Sequence, residues 1–231
     1  MVSNTEAQAV DDLYVPYAGI HNSYTGYRMH NMHFISYAAM FAGQFKVAMK
    51  AAAAIQRTLP PSLAADPVLA KYFESFYSLN VHVLIRFGKW QELVATEVPT
   101  EPAVWPYRIA TTRYGRGIAH AVLGDIVSAR VEFELLKEDR LLIPEENVLH
   151  NNSCRSLLLI ALAMLEGEIL YREKTFDEAF RLLAHAVYLS DALVYDEPWG
   201  WMQPPRHALG ALLLEQVSIS VLILCTLLFC V

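Results

Sequence analysis

Four short segments of the chain repeat one pattern that is typical of a turn between two helices. In each, a glycine or lysine is followed two places on by a large apolar residue and three places further by a smaller one. The segments begin with Gly43-Gln44-Phe45, Gly88-Lys89-Trp90, Gly124-Asp125-Ile126 and Lys174-Thr175-Phe176. Glycine can adopt positive φ at the end of a helix without a Cβ clash. The repetition therefore predicts four turns, each joining two helices.

The residues on both sides of these turns have helical spacing. Ser36, Gly117 and Gly167 each lie seven places before a turn, and their small size predicts that two helices cross closely there. After three of the turns, apolar residues recur at spacings of four and three, which predicts one buried face per helix. These residues are Ala48, Ala52 and Ile55, then Ala129, Phe133 and Leu136, then Ala179, Leu183 and Ala186.

This arrangement resembles the tetratricopeptide repeat, in which helix pairs of about 34 residues stack into a solenoid. The resemblance covers residues 29–216 and implies an all-α fold, an α-solenoid of four antiparallel helix pairs and a truncated fifth that starts at Pro204. The second pair departs from the pattern, because Val81 stands where a small residue is expected. The segments HNMHFISYAAM and YDEPWGWMQPPRHALGALLLEQ are similar to segments of uncharacterised bacterial and fungal members of the family. This similarity implies no known activity. Residues 1–28 are expected to form an N-terminal linker or the remnant of an earlier repeat.

Composition narrows the classes of function. The chain has 231 residues, 55% of them hydrophobic and 18% charged, so it can bury a sizeable core and fold as one unit. A formal net charge of −6 and the lack of a basic run argue against nucleic-acid binding. Cys154, Cys225 and Cys230 form no disulfide or metal-binding pattern, and the N-terminal segment has no secretory signal, so we expect a cytoplasmic protein. No P-loop or dinucleotide-binding loop occurs, and we expect no cofactor.

The resemblance also implies which residues bind a partner. In the tetratricopeptide family the first helix of each pair lines a concave groove. The corresponding positions in this chain are found by counting residues back from each turn. The groove positions then include His30, His33, Tyr37, His82, Arg86, Tyr114, Glu168, Tyr171, Arg172 and His207. Aromatic and arginine side chains often dominate binding energy when they fill pockets on a partner. We therefore expect a non-catalytic scaffold that binds a peptide segment of a protein partner, or a small ligand, in this groove.

The histidines also have a purely structural interpretation. Asn31 follows His30 and Asn151 follows His150, and asparagine is a common helix cap. A lone histidine on an apolar face often does no more than bond to a backbone carbonyl. Packing and capping therefore compete with a role in binding.

Metal binding is a third interpretation of the histidines. His30 and His33 are three residues apart on one helix face, where they could share an ion with His82 or His207. The chain has no HExxH motif and no cysteine pair, so the third ligand would have to come from another repeat. A histidine-lined metal-binding protein or metal-dependent enzyme is the alternative function.

The C-terminal segment VSISVLILCTLLFCV breaks the repeated pattern. A turn glycine is expected at position 217, where an uncharged apolar run starts instead. Three interpretations of residues 217–231 stay open: a truncated or mis-spliced end, a last helix packed on the solenoid, or a membrane anchor that would make the chain a tail-anchored adaptor. An uncapped solenoid exposes apolar end faces, so we also expect self-association.

Overall fold

The structure is a computed structural model that describes residues 1–22, 24–66 and 68–216. Helices make up most of this part of the chain, which confirms the all-α prediction. The apolar segment 217–231 lies outside the described residues, and so do the three interpretations of it.

Twelve α-helices and one short hairpin occur in the described part of the chain. The first seven helices are α1 (Val2–Ala18), α2 (Tyr24–Phe41), α3 (Phe45–Thr58), α4 (Pro61–Ala65), α5 (Ala70–Phe73), α6 (Leu79–Arg86) and α7 (Trp90–Val94). A 3₁₀ segment, Glu74–Ser78, connects α5 to α6. The remaining elements are α8 (Pro106–Val122), α9 (Ile126–Leu142), β1 (Val148–Leu149), β2 (Asn152–Ser153), α10 (Cys154–Arg172), α11 (Phe176–Asp191) and α12 (Pro205–Glu215).

The four predicted turns lie between helices and share one hydrogen-bond pattern. Positive φ, between 63° and 87°, occurs at the four turn residues Gly43, Gly88, Gly124 and Lys174. At each turn the N–H of this residue bonds to the carbonyl three residues back, and the next N–H bonds to the carbonyl five residues back. At the third turn, Asp125 N–H donates to the His120 carbonyl at 2.9 Å. This pattern satisfies the last carbonyls of the first helix and stops it there.

Each turn brings together the two helices that it joins. Helix α2 packs against α3, α6 against α7, α8 against α9 and α10 against α11. Successive pairs also contact one another through their first helices, α6 with α8 and α8 with α10, while α12 packs on α11. A continuous apolar core runs through these contacts from Met29 in α2 to Met202 beyond α11.

Three segments differ from a simple series of predicted helix pairs. Residues 2–18, in the predicted N-terminal linker, form α1, whose buried Asp11 accepts a hydrogen bond from Tyr24 Oη in α2 at 2.6 Å. Helix α7 has only five residues, and the extended segment after it contains Pro99. The hairpin β1–β2 was not predicted, and its turn is held by side-chain hydrogen bonds to the loop after α11.

Gly167 in α10 marks the close approach of α11. A Cβ atom at this position would lie 2.8 Å from Leu183 Cγ and 3.3 Å from the Ala179 carbonyl oxygen. Gly210 in α12 is also inside a helix, but among the described residues nothing lies within 4 Å of a Cβ atom placed there. The two glycines therefore differ in packing and not in backbone conformation.

We expect Gly167→Ala to lower the free energy of unfolding by about 1.5 kcal/mol, because overpacking a core costs more than alanine contributes to helix propensity. Gly210→Ala is the matched control and should raise the free energy of unfolding by about 0.5 to 1 kcal/mol. Urea denaturation of both variants and the wild type measures the two changes. A Gly167→Ala variant as stable as the wild type would contradict the close packing of α10 on α11.

Candidate functional site

A cavity of about 320 Å³, which we call the arginine cavity, lies where α6, α8, α10, α11 and α12 meet. Half of the ten predicted groove residues line it: Arg86, Tyr114, Glu168, Arg172 and His207. The rest of its wall is mainly apolar and includes Ile85, Trp90, Ile118, Val122, Met164, Leu183 and Leu212. A cavity of this size with apolar walls and a few polar groups is the usual form of a ligand site.

Arg86 supplies a positive charge at the cavity wall. It stands in the last turn of α6, with its guanidinium exposed and 5.6 Å from the centre of the Phe41 ring. Nη1 of Arg86 donates to Nδ1 of His207 at 3.4 Å, and Nε donates to the Met40 carbonyl at 3.5 Å. No carboxylate among the described residues lies within salt-bridge distance of this guanidinium. An anionic group is the natural partner for it.

Glu168 and Arg172 form a second, already paired, charged group in the cavity. They are four residues apart on α10, and Arg172 donates from Nε and Nη2 to one carboxylate oxygen of Glu168 at 2.8 and 2.7 Å. Burial raises the pKa of Glu168, and the charge of Arg172 opposes this shift. Among the described residues that line the cavity, this leaves Arg86 as the charged side chain without an acidic partner. Burial lowers the pKa of His207, and the neighbouring Arg86 lowers it further.

Gln203 and Trp90 belong to the cavity, although the sequence did not predict them as binding residues. Gln203 Nε2 donates to the His82 carbonyl at 2.7 Å, and the Gln203 side chain also raises the pKa of the His82 ring, against the larger effect of burial. Counting back from the turns covers only the first helix of each pair. It therefore passes over Gln203, in the loop before α12, and Trp90, which the pattern assigned to packing.

The structure places two of the predicted histidines in the core, away from the arginine cavity. His33 is fully buried, and its Nδ1 lies 2.9 Å from Nε2 of His150. His82 is buried with its ring edge-on to Trp201, at 4.9 Å between centroids. Burial lowers the pKa of His33 well below its usual value and lowers the pKa of His82 to about 4. Both rings are therefore neutral at pH 7.

The other three predicted residues also lie outside the wall of the arginine cavity. His30 is half-buried, with its ring 4.8 Å from that of Phe34. Tyr37 is half-buried beside Phe41, at 4.8 Å between ring centroids. Tyr171 Oη donates to a Glu215 carboxylate oxygen at 2.7 Å and so joins α10 to α12.

The described residues contain no group of three or more His, Cys, Asp or Glu side chains arranged to hold a metal ion. His30, His33 and His82 do not converge on one point as the metal interpretation requires, since His33 pairs with His150 and His82 packs on Trp201. Within the same part of the chain, no helix combines the length and apolar character needed to cross a membrane.

Comparison of the chain with protein-family models, with curated proteins and with solved structures finds no match.

Proposed function

We propose that the chain is a non-catalytic interaction module whose arginine cavity binds a peptide segment or small ligand that carries a negative charge. We further propose that its helix pairs form a solenoid similar to that of the tetratricopeptide family. The shared hydrogen-bond pattern of the four turns and the packing of α6, α8 and α10 on one another support this architecture. In such a solenoid the first helices form one continuous face, and the arginine cavity lies on it.

The environment of the Arg86 guanidinium is the main support for the proposal. Its guanidinium lies beside an apolar wall and has no acidic partner among the described residues. Hydrogen bonds to His207 and to the Met40 carbonyl hold this exposed guanidinium at the cavity wall. A ligand that places an anionic group at Arg86 and an apolar body against Ile118 and Leu212 would match both features of the wall.

Binding of 8-anilinonaphthalene-1-sulfonate, an apolar molecule with one negative charge, tests the proposal. We expect Arg86→Met to weaken this binding about tenfold, because it removes a charge-assisted hydrogen bond while keeping the apolar stem. Arg181→Met on the exposed side of α11 is the matched control and should leave the affinity unchanged. Fluorescence titration measures the affinities. Equal affinities for the wild type and Arg86→Met would contradict the proposed role of Arg86.

A second variant tests whether the dye and peptides use the same cavity. Ala211 is exposed on α12 and lines the cavity, so Ala211→Phe should fill the space without disturbing the core. We expect this variant to lose dye binding. A random heptapeptide library selected on the wild type should yield sequences with an acidic residue next to apolar ones, and these should not bind Ala211→Phe. Peptides that bind both proteins equally would place peptide recognition elsewhere.

A further inference from the structure

A second cavity of about 540 Å³, which we call the histidine cavity, lies between the loop after α1, helices α4 and α5, and strand β1. Its walls are mainly apolar and aromatic and include Ile20, Leu63, Leu69, Tyr72, Phe73 and Phe76, and their polar side chains include those of His21, Asn22 and His150. No Lys, Arg, Asp or Glu is among the described residues that line it. Because a buried charge without a partner is costly, these walls favour an uncharged ligand.

His150 is held at this wall in an uncommon backbone conformation. It is the first residue of the two-residue turn between β1 and β2, with φ of 53°, where glycine is the usual residue. The turn is fixed from outside, because the Asn151 N–H donates to Asp196 Oδ1 at 2.9 Å and Asn152 Nδ2 donates to Asp196 Oδ2 at 2.6 Å. A side chain kept in such a conformation is a reasonable place to look for function.

His33 determines which nitrogen of His150 carries a proton. Burial lowers the pKa of both rings, so each is neutral at pH 7 and carries one proton. Nε2 of His33 is buried without a partner among the described residues. A proton on this nitrogen would be a buried N–H without an acceptor, which costs more free energy than leaving the nitrogen unprotonated. The His33 proton is therefore on Nδ1, which donates to His150 Nε2. The proton of His150 must then be on its own Nδ1.

The Nδ1–H of His150 has no acceptor among the described residues, and the ring is only partly buried. We propose that the histidine cavity binds an uncharged, apolar or aromatic molecule with one hydrogen-bond acceptor, such as a ketone oxygen, and that this atom accepts from His150 Nδ1–H. His33 acts as a positioning residue, since it keeps that proton on Nδ1. The site is separate from the arginine cavity, and its existence does not depend on the function proposed there.

Nitrogen-15 labelling of the histidines tests the assigned protonation without any ligand. At pH 7.5, long-range proton–nitrogen spectra should show protonated Nδ1 and unprotonated Nε2 in both His33 and His150. In a His33→Asn variant, whose side-chain N–H replaces Nδ1–H, His150 should keep this form. In His33→Leu it should become a mixture of both forms. Protonation of His150 on Nε2 in the wild type would overturn the proposal.

Benzophenone and diphenylmethane test the acceptor, because they share two phenyl rings and differ by the ketone oxygen. Benzophenone should shift the His150 signals in a saturable manner, and diphenylmethane should bind about tenfold more weakly. The charged analogue 4-benzoylbenzoate should also bind at least tenfold more weakly than benzophenone. On irradiation, the ketone of benzophenone inserts into nearby C–H bonds, and peptide mapping should find the label on residues that line the histidine cavity, such as Ile20, Phe76 or Val148. Equal binding of benzophenone and diphenylmethane, or a label outside the lining of the histidine cavity, would overturn the proposal.

The two His33 variants separate a positioning role from a structural one. We expect His33→Leu to weaken benzophenone binding about fivefold and His33→Asn to restore it, because only asparagine donates to His150 Nε2. Diphenylmethane makes no hydrogen bond, so its affinity should be the same in both variants. Equal benzophenone affinity in His33→Leu and the wild type would overturn the role of His33. The wild-type spectra and the two-probe comparison test the site even if a variant does not fold.

Discussion

Replacement of Glu132 by glutamine is expected to lower the free energy of unfolding by about 3 kcal/mol. The Glu132 side chain in α9 is only 7% exposed and accepts from Arg116 Nε at 2.6 Å and from Arg113 Nη1 at 3.1 Å, both in α8. Glutamine preserves the shape but removes the negative charge that the two guanidinium groups share, although Arg113 keeps a second carboxylate, that of Asp139 at 2.8 Å. We use the lowest free-energy cost expected for breaking a buried ion pair, because the arginine side chains are 21% and 25% exposed.

Glu134→Gln on the same helix is the matched control for Glu132→Gln. Glu134 pairs with Lys137 at 2.8 Å, but both side chains are largely exposed. Solvent screens such a pair, so its loss should cost about 0.5 kcal/mol or less. Chemical denaturation of the two variants compares an ion pair between helices with one on the surface. Similar losses in both would mean that the Glu132 group does not hold α9 on α8.

The Glu132 group also connects this helix pair to the preceding one. Besides binding Glu132, Arg116 Nη1 donates to the carbonyls of Val94 and Thr96 at 3.0 and 2.9 Å. These carbonyls lie at the end of α7, which is too short to be held by an extended apolar face. The ion pairs therefore help to fix the second helix pair, which supplies Arg86 and Trp90 to the arginine cavity.

The sequence predicted the turns of this fold better than its connections. Turn signals are local, because positive φ at Gly124 and an apolar residue two places later suffice to stop one helix and start the next. The hairpin at His150 depends instead on Asp196, which is 45 residues away from Asn151 along the chain. Contacts of this kind leave no periodic pattern, and the hairpin could not be predicted from the sequence.

The sequence predicted part of the candidate site for a similar reason. Counting back from the turns found Arg86, Glu168 and Arg172, which lie at helical spacing along first helices that line the cavity. The same count placed His33 in the groove, yet helix α2 packs with His33 facing the core, where it contacts His150. Residue spacing gives the relative positions on one helix, but the neighbouring helices decide which side faces the cavity.

Glu74 is a buried carboxyl group that holds the first turn of α8. Its two oxygens accept from the backbone N–H of Arg108 at 2.8 Å and of Tyr107 at 3.3 Å, and Trp105 at the N-cap provides no side-chain cap. Burial raises the pKa of Glu74 to about 8, while the two N–H groups and the charge of Arg108 oppose this shift. At pH 6.5 the folded protein therefore holds Glu74 protonated, and at higher pH it must bury the carboxylate.

The raised pKa of Glu74 predicts that the contribution of this group to stability falls between pH 6.5 and 8.5. A carboxyl group with a pKa of about 4.5 when unfolded and about 8 when folded stabilises the protein fully below pH 4.5, and this contribution is lost as pH rises through 8. The loss between pH 6.5 and 8.5 should be about 2 kcal/mol. Glu74→Gln has no titrating group there, so its free energy of unfolding relative to that of the wild type should rise by that amount between the two pH values. Urea denaturation at both pH values measures it. His82, whose pKa is lowered to about 4, still binds protons in the unfolded state near pH 6.5, so its contribution has the opposite sign and is the same in the variant and the wild type. The same pH dependence in the variant and the wild type would show that another group is responsible.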